Sequence, residues 1–146
     1  MRIINNHWFV LFILLISLIT GCKKEPINRK IEGHWILEQF TILQTNETVK
    51  CERIYWGITR VATKLFEKQG SHGYTPLEAL TEYRDNETIL VLKDFKVISN
   101  GKDALPEQLH PYGIDNSKET AFQIMESTHK NMILESDYAR LEFKKF

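Results

Sequence analysis

Of the residue types that do chemistry, Cys22 is the one whose neighbours dictate a role, because it follows the small residues Thr20 and Gly21 at the end of an apolar run. A thiol there can take a lipid through a thioether, which a serine hydroxyl cannot, and small residues before it let extended backbone approach a peptidase. The other candidates are weaker. His34, His72, His110 and His129 are scattered without HxxxH, CxxC or HExxH spacing, so no metal centre and no cofactor is expected. Cys51 has no histidine near it in sequence and reads as a small buried hydrophobe. Glu78 and Glu82, four apart, could form a general acid/base pair on a helical turn, although a solvated face explains them better. No nucleophile elbow, phosphate-binding glycine loop or dinucleotide fingerprint is present. No catalytic residue is assigned, and the chain is expected not to be an enzyme.

The element that positions Cys22 is the leader. Arg2 gives it a positive start, and Trp8 to Ile19 is apolar for 12 residues, short of the roughly 20 that a spanning helix needs. Lys23, Lys24, Glu25 and Pro26 end it. Ile19-Thr20-Gly21-Cys22 resembles a bacterial lipobox. The resemblance implies cleavage before Cys22 and its diacylation: residues 1–21 a lipoprotein signal peptide, 22–30 a lipidated tether, 31–146 the folded domain. Several acyl chains hold a protein on a membrane stably, each buried methylene adding about 0.8 kcal/mol. Lys23-Lys24 lacks the aspartate of inner-membrane retention and the acidic run of surface export. Resemblance to lipoprotein sorting patterns therefore implies the outer membrane, with the domain facing the periplasm.

The chain has 146 residues with 19 basic and 19 acidic side chains, and loss of Arg2 with the leader leaves 18 against 19. With its charges also interleaved, it has no electrostatic footprint for nucleic acid. The 125 residues from Cys22 onward (146 less 21) suit one domain with one core. If Cys22 is lipidated, Cys51 has no disulfide partner and the fold must stand on packing.

Branched and aromatic residues from His34 to Leu43 predict a first strand running into the turn residues Gln44 to Glu47. Cys51 to Lys68 is ambiguous. Ile54, Ile58, Val61 and Leu65 have helical spacing, whereas Ile54, Trp56, Ile58, Ala62 and Phe66 keep strand parity; branched residues and Gly57 favour one long or bent strand. Gln69 to Pro76 is a loop, and strands near Leu80–Tyr83 and Thr88–Phe95 flank a turn at Asp85-Asn86. After a turn at Asn100-Gly101, Asp103 to Asn116 is a long irregular connection. Strands follow at Thr120–Ser127, Met132–Glu135 and Tyr138–Phe146, the last placing Ala139, Leu141 and Phe143 on one face. Asn46-Glu47-Thr48 and Asn86-Glu87-Thr88 match a glycosylation sequon but fit turn chemistry better. Many short strands with frequent turns give an all-β chain, an antiparallel barrel or sandwich.

Gly33-His34-Trp35 at the first strand, with Tyr112-Gly113-Ile114, Phe122-x-Ile124, Met132-Ile133-Leu134-x-Ser136 and Leu141-x-Phe143-x-Lys145, resembles the lipocalin-like lipoproteins of Bacteroidota-type bacteria. The resemblance implies a lipocalin-like antiparallel β-barrel. It further implies that Gly33 permits tight backbone passage, that Trp35 plugs one barrel end, and that Arg140 from the last strand stacks on the indole. The Thr-Asp dipeptide and the disulfide of other lipocalins are absent. The function implied is binding of a small apolar or amphipathic ligand by a membrane-tethered envelope protein. The aromatics Trp35, Phe40, Tyr55, Trp56, Phe66, Phe95, Phe122 and Phe143 could line a pocket, with ordinary core the stronger expectation. The alternative is a filled barrel serving as a protein-interaction module. Its contact surface would be the loops 69–76 and 103–116, with Tyr74, His110 and Tyr112 as anchors. An interior apolar cavity of roughly 300 Å³ or more would favour the carrier.

Overall fold

The computed structural model describes residues 25–146; the leader and the Cys22 acylation site lie outside the described residues. Eight strands run β1 (Gly33–Ile42), β2 (Glu47–Ile58), β3 (Ala62–Glu67), β4 (Leu77–Arg84), β5 (Ile89–Val97), β6 (Glu119–Ser127), β7 (Asn131–Glu135) and β8 (Ala139–Lys145). Each pairs antiparallel with the next, and β8 returns to β1 to close the barrel. Closure removes the unpaired sheet edges that an open meander would expose.

Alternation fixes which side chains fill the barrel. Trp35, Leu37 and Phe40 on β1, Ile54, Trp56 and Ile58 on β2, and Leu141 and Phe143 on β8 are buried, as are Leu90, Leu92 and Phe95 on β5. Parity shifts by one where bulges intervene, between Leu37 and Gln39, Glu78 and Leu80, and Ile124 and Glu126. Turn residues take the left-handed backbone region at Asn46, Asp85 and Asn86, so both sequon asparagines sit in turns.

Residues 51–68 form two strands, not one. Thr59 folds the chain back: its Oγ1 accepts from the Ala62 amide at 3.1 Å and donates to the Ala62 carbonyl at 2.8 Å. Strand parity held through Ile58, but this turn resets it. Thr63 and Leu65 therefore point inward, while Ala62 and Phe66, expected to share the face of Trp56, are only part-buried. Gly57 interrupts β2 without ending it, since the His34 ring lies 3.3 Å from where a Cβ would stand.

Candidate functional site

The barrel has two ends, which strand alternation assigns. At one, the mouth, lie residues 43–46, 68–76, 98–118 and 136–138; at the other, the base, lie the segment before β1 and the turns 59–61, 85–88 and 128–130. Both ends are closed.

The mouth is covered by the long connection after β5, which is not wholly irregular. It holds one helical turn, α1 (Pro106–Leu109), and a 3-10 turn, His110–Tyr112. Two prolines set the backbone for these turns, and the segment is too short for periodicity to reveal it. Ala104, Leu109, Tyr112 and Ile114 are buried across the opening. The Tyr112 hydroxyl donates to the Thr75 carbonyl at 2.8 Å, tying this cover to the β3–β4 loop. Gly113 has φ +78° and lies against Leu141 and Phe40, with 3.1 and 3.2 Å available to a Cβ, so only glycine brings the cover down onto the inner wall. Tyr112, expected as an exposed anchor, is thus a plug. Tyr74 is part-buried and stacked on His72, with centroids 4.8 Å apart; His110 is exposed and stacked on Tyr138 at 6.3 Å.

The base is closed by Trp35. Its indole is fully buried and donates to the Ile31 carbonyl at 2.7 Å, so the segment preceding β1 seals that end. Gly33 has φ +139°, and a Cβ there would meet the Lys145 ammonium. The cation over the indole is Lys145, 4.3 Å from the ring centroid, and not Arg140. The reason is register: Lys145 lies opposite Trp35, whereas Arg140 lies opposite Thr41 near the mouth and bonds Glu135 at 3.2 Å. Burial lowers the Lys145 pKa below its ordinary value. The last lysine of the Leu141-x-Phe143-x-Lys145 pattern was the available signal for this partner.

Between the two ends the interior is filled. Trp56 meets Phe143 edge-on at 5.0 Å and Phe122 at 5.7 Å, in a cluster with Leu37, Leu65 and Leu134. Among the described residues, three side chains carry buried polar atoms without a hydrogen-bond partner: Trp56 Nε1, the Tyr83 hydroxyl and the Glu32 carboxylate. Burial raises the Glu32 pKa, against the pull of the nearby Ile27 and Asn28 amides, which do not close bonds of ordinary geometry. Burial likewise raises the Tyr83 pKa, and Glu32 adds to it.

The clefts lie outside this core. One of about 370 Å³ at the mouth rim is polar, lined by Gln44, Asp115, Asn116, Glu119 and Asp137 among others. Another of about 310 Å³ on the outer wall is bordered by Gly33, His34, Gly57, Ala62, Lys64 and Phe66. Neither reaches Trp56, Phe122 or Phe143. Beside the second, Tyr55 stacks on Phe66 at 5.7 Å and meets Phe146 edge-on at 5.2 Å, with Lys68 Nζ 4.9 Å from the Phe146 ring. Phe146 is 62% exposed. Sequence reasoning assigned Tyr55 and Phe66 to a possible pocket lining, and they face outward instead, since each precedes or follows an inward residue.

The remaining candidates do not assemble into a reaction centre. Glu78 faces Lys64 at 3.9 Å, and Glu82 bonds Lys93 and Arg84; those bonds, Lys93 first, hold the Glu82 carboxyl below its ordinary pKa. On strand β4 each glutamate thus has a cationic partner of its own. The Cys51 thiol is pushed up to about 11 by burial, far from a thiolate nucleophile. His72 bonds Glu67 at 2.7 Å, and the same carboxylate accepts the amides of His72, Gly73 and Tyr74. No group of three or more potential metal ligands occurs among the described residues.

The lipocalin-like domain family matches residues 16–146 of the chain. Two solved structures share the fold. A lipocalin-like protein from Bacteroides uniformis superposes with a TM-score of 0.62 at 13% identity, covering 80% of this chain and 99% of that one. An uncharacterized protein from Bacteroides eggerthii gives 0.60 at 16% identity, covering 79% and 98%. No curated protein matches the chain.

Proposed function

Since the chain belongs to the lipocalin-like domain family, whose members are generally binding proteins rather than enzymes, we propose that it is a lipid-anchored envelope lipoprotein that binds through the outside of a filled barrel. It serves as a protein-interaction module or accessory subunit at the outer membrane, facing the periplasm. The observation that carries this reading is the interior: Trp56, Phe122 and Phe143 interlock where a carrier keeps a cavity of about 300 Å³ or more, and both ends are sealed. The apolar surface is instead outside, in the Tyr55–Phe66–Phe146 cluster and the adjoining groove. Aromatic residues in such a patch are the usual anchors of a partner protein.

One observation favours the carrier. The Trp56 N–H is buried without an acceptor, which a small ligand carrying an oxygen would satisfy if the cover of residues 104–114 lifted. Native mass spectrometry of the acylated protein purified from its own host, with crosslinking in intact membranes, separates the two. A mass equal to chain plus acyl groups, together with a defined crosslinked protein lost in Tyr55→Ser/Phe66→Ser, supports the module. A stoichiometric small molecule recovered by organic extraction overturns it in favour of the carrier.

A further inference from the structure

The near-zero net charge conceals an uneven distribution between the two ends of the barrel. At the base, Arg29 and Lys30 stand exposed before β1 and Lys130 on the β6–β7 turn, with Arg60 half-buried on the β2–β3 turn. Glu25, 3.6 Å from Arg29, and Asp85 and Glu87 of the β4–β5 turn oppose them in part; Glu32 is tucked inside. The mouth carries Glu47, Asp103, Glu107, Asp115 and Asp137 against Lys68, Lys102 and Lys118. Large apolar side chains also project from the base among the cations, including Ile27, 41% exposed, and Val61, 54% exposed at the tip of its turn.

The chain enters the fold at this same end. The Glu25 carbonyl accepts a hydrogen bond from Arg60 Nη1 at 3.0 Å, and Asn28 caps the turn that follows through its contacts with Lys30, Ile31 and Glu32. Only three residue steps separate Glu25 from Cys22, the two intervening residues being Lys23 and Lys24. Fully extended, three steps reach at most about 11 Å. That is close to one Debye length at physiological salt, about 8 Å.

We propose that the base of the barrel docks on an anionic phospholipid surface, with Ile27 and Val61 in the headgroup layer and Arg29, Lys30 and Arg60 against lipid phosphates. This orients the acidic mouth away from the bilayer. The proposal rests on the lipid-anchor reading for its tether, but its surface is a property of residues 27–61. Apolar tips among cations are the pattern that partitions into a headgroup layer.

The test uses the acylated protein, its Cys22 adduct first established by intact mass. Val61→Cys and Leu105→Cys variants in a Cys51→Ser background, each carrying an environment-sensitive fluorophore, are reconstituted in phosphatidylcholine vesicles with and without phosphatidylglycerol. Docking blue-shifts the label at 61 and shields it from an aqueous quencher, more so with phosphatidylglycerol, while the label at 105 stays accessible. Equal accessibility at both positions means a domain swinging on its tether and overturns the proposal, leaving the anchor intact. If Cys22 proves unmodified, the anchor reading fails, and sedimentation of the unacylated chain with phosphatidylglycerol vesicles decides docking by itself. Binding weakened roughly fivefold for each of Arg29→Gln, Lys30→Gln and Arg60→Gln supports it. No binding overturns it.

Discussion

Truncating Phe122 to alanine tests the filled interior directly. The ring is fully buried and packed edge-on against Trp56 at 5.7 Å, so its removal exchanges contacts for an apolar void on the order of 100 Å³. At about 24 cal/mol per Å³ the void alone costs about 2.4 kcal/mol, and with the lost transfer energy the total is about 3 to 5 kcal/mol. For a domain of this size that is a fall in Tm of roughly 12 to 20 °C. The void is walled by aromatics and takes a benzene-sized molecule, which at a hundred times its Kd restores about 2.7 kcal/mol. Thermal unfolding by circular dichroism, with and without benzene, reads both effects, and the unsubstituted protein should not respond to the probe. A cost below about 1 kcal/mol with no recovery would mean that the space beside Phe122 is already empty or collapses freely, and the argument for a filled barrel would fail.

The two basic candidates for closing the base should separate cleanly. Lys145→Ala should cost about 0.5 to 1 kcal/mol through its contact with Trp35, and Arg140→Ala less, because the Arg140–Glu135 pair is solvent-accessible; urea unfolding showing the reverse order would return Arg140 to the closing role. Glu32 has a raised pKa in the fold, so the native state holds its proton where the unfolded chain has released it. Stability therefore falls as pH climbs above the ordinary 4.5, and Glu32→Gln should flatten that slope and stabilise the protein at pH 7; an unchanged pH profile would show that the carboxyl is solvated. Glu67 behaves oppositely: burial works to raise its pKa, but the bonds from His72, Gly73 and Tyr74 prevail and lower it. Its stabilisation is present above 4.5 and lost as pH drops through the folded value, and Glu67→Ala should speed hydrogen exchange of amides 72–74 at neutral pH without touching the barrel amides.

The barrel was legible where a single physical rule governs a segment. Alternation along β8 placed Ala139, Leu141 and Phe143 inward, and asparagine turn chemistry placed Asn46 and Asn86 correctly. Legibility ended where two segments distant in sequence decide the outcome. Arg140 and Lys145 are both basic residues of one strand, and only the register of β8 against β1 says which meets Trp35. The turn at Thr59–Val61 contains neither glycine nor proline and is held by one threonine's hydroxyl and amide, so residues 51–68 read as continuous. In the mouth cover, two prolines and Gly113 read as an irregular loop, and nothing local records that Tyr112 finds an acceptor at Thr75.

The outer aromatic wall escaped the sequence for a related reason. Along β2, Tyr55 and Trp56 are adjacent, so both faces of the strand are aromatic and alternation cannot say which face is core. Packing decides it: Trp56 joins Phe122 and Phe143 inside, while Tyr55 finds Phe66 across the β2–β3 pair and Phe146 from beyond β8. A strand whose outer residue needs no burial would ordinarily carry threonine or lysine there, as at Thr48 and Lys50 on the same strand. The aromatic side chains at Tyr55 and Phe66 are left half-exposed, beside a groove bordered by His34 and Gly57. Within a barrel sealed at Trp35 and Tyr112, this wall is an aromatic surface accessible without opening the fold, and function is therefore to be sought on it before the interior.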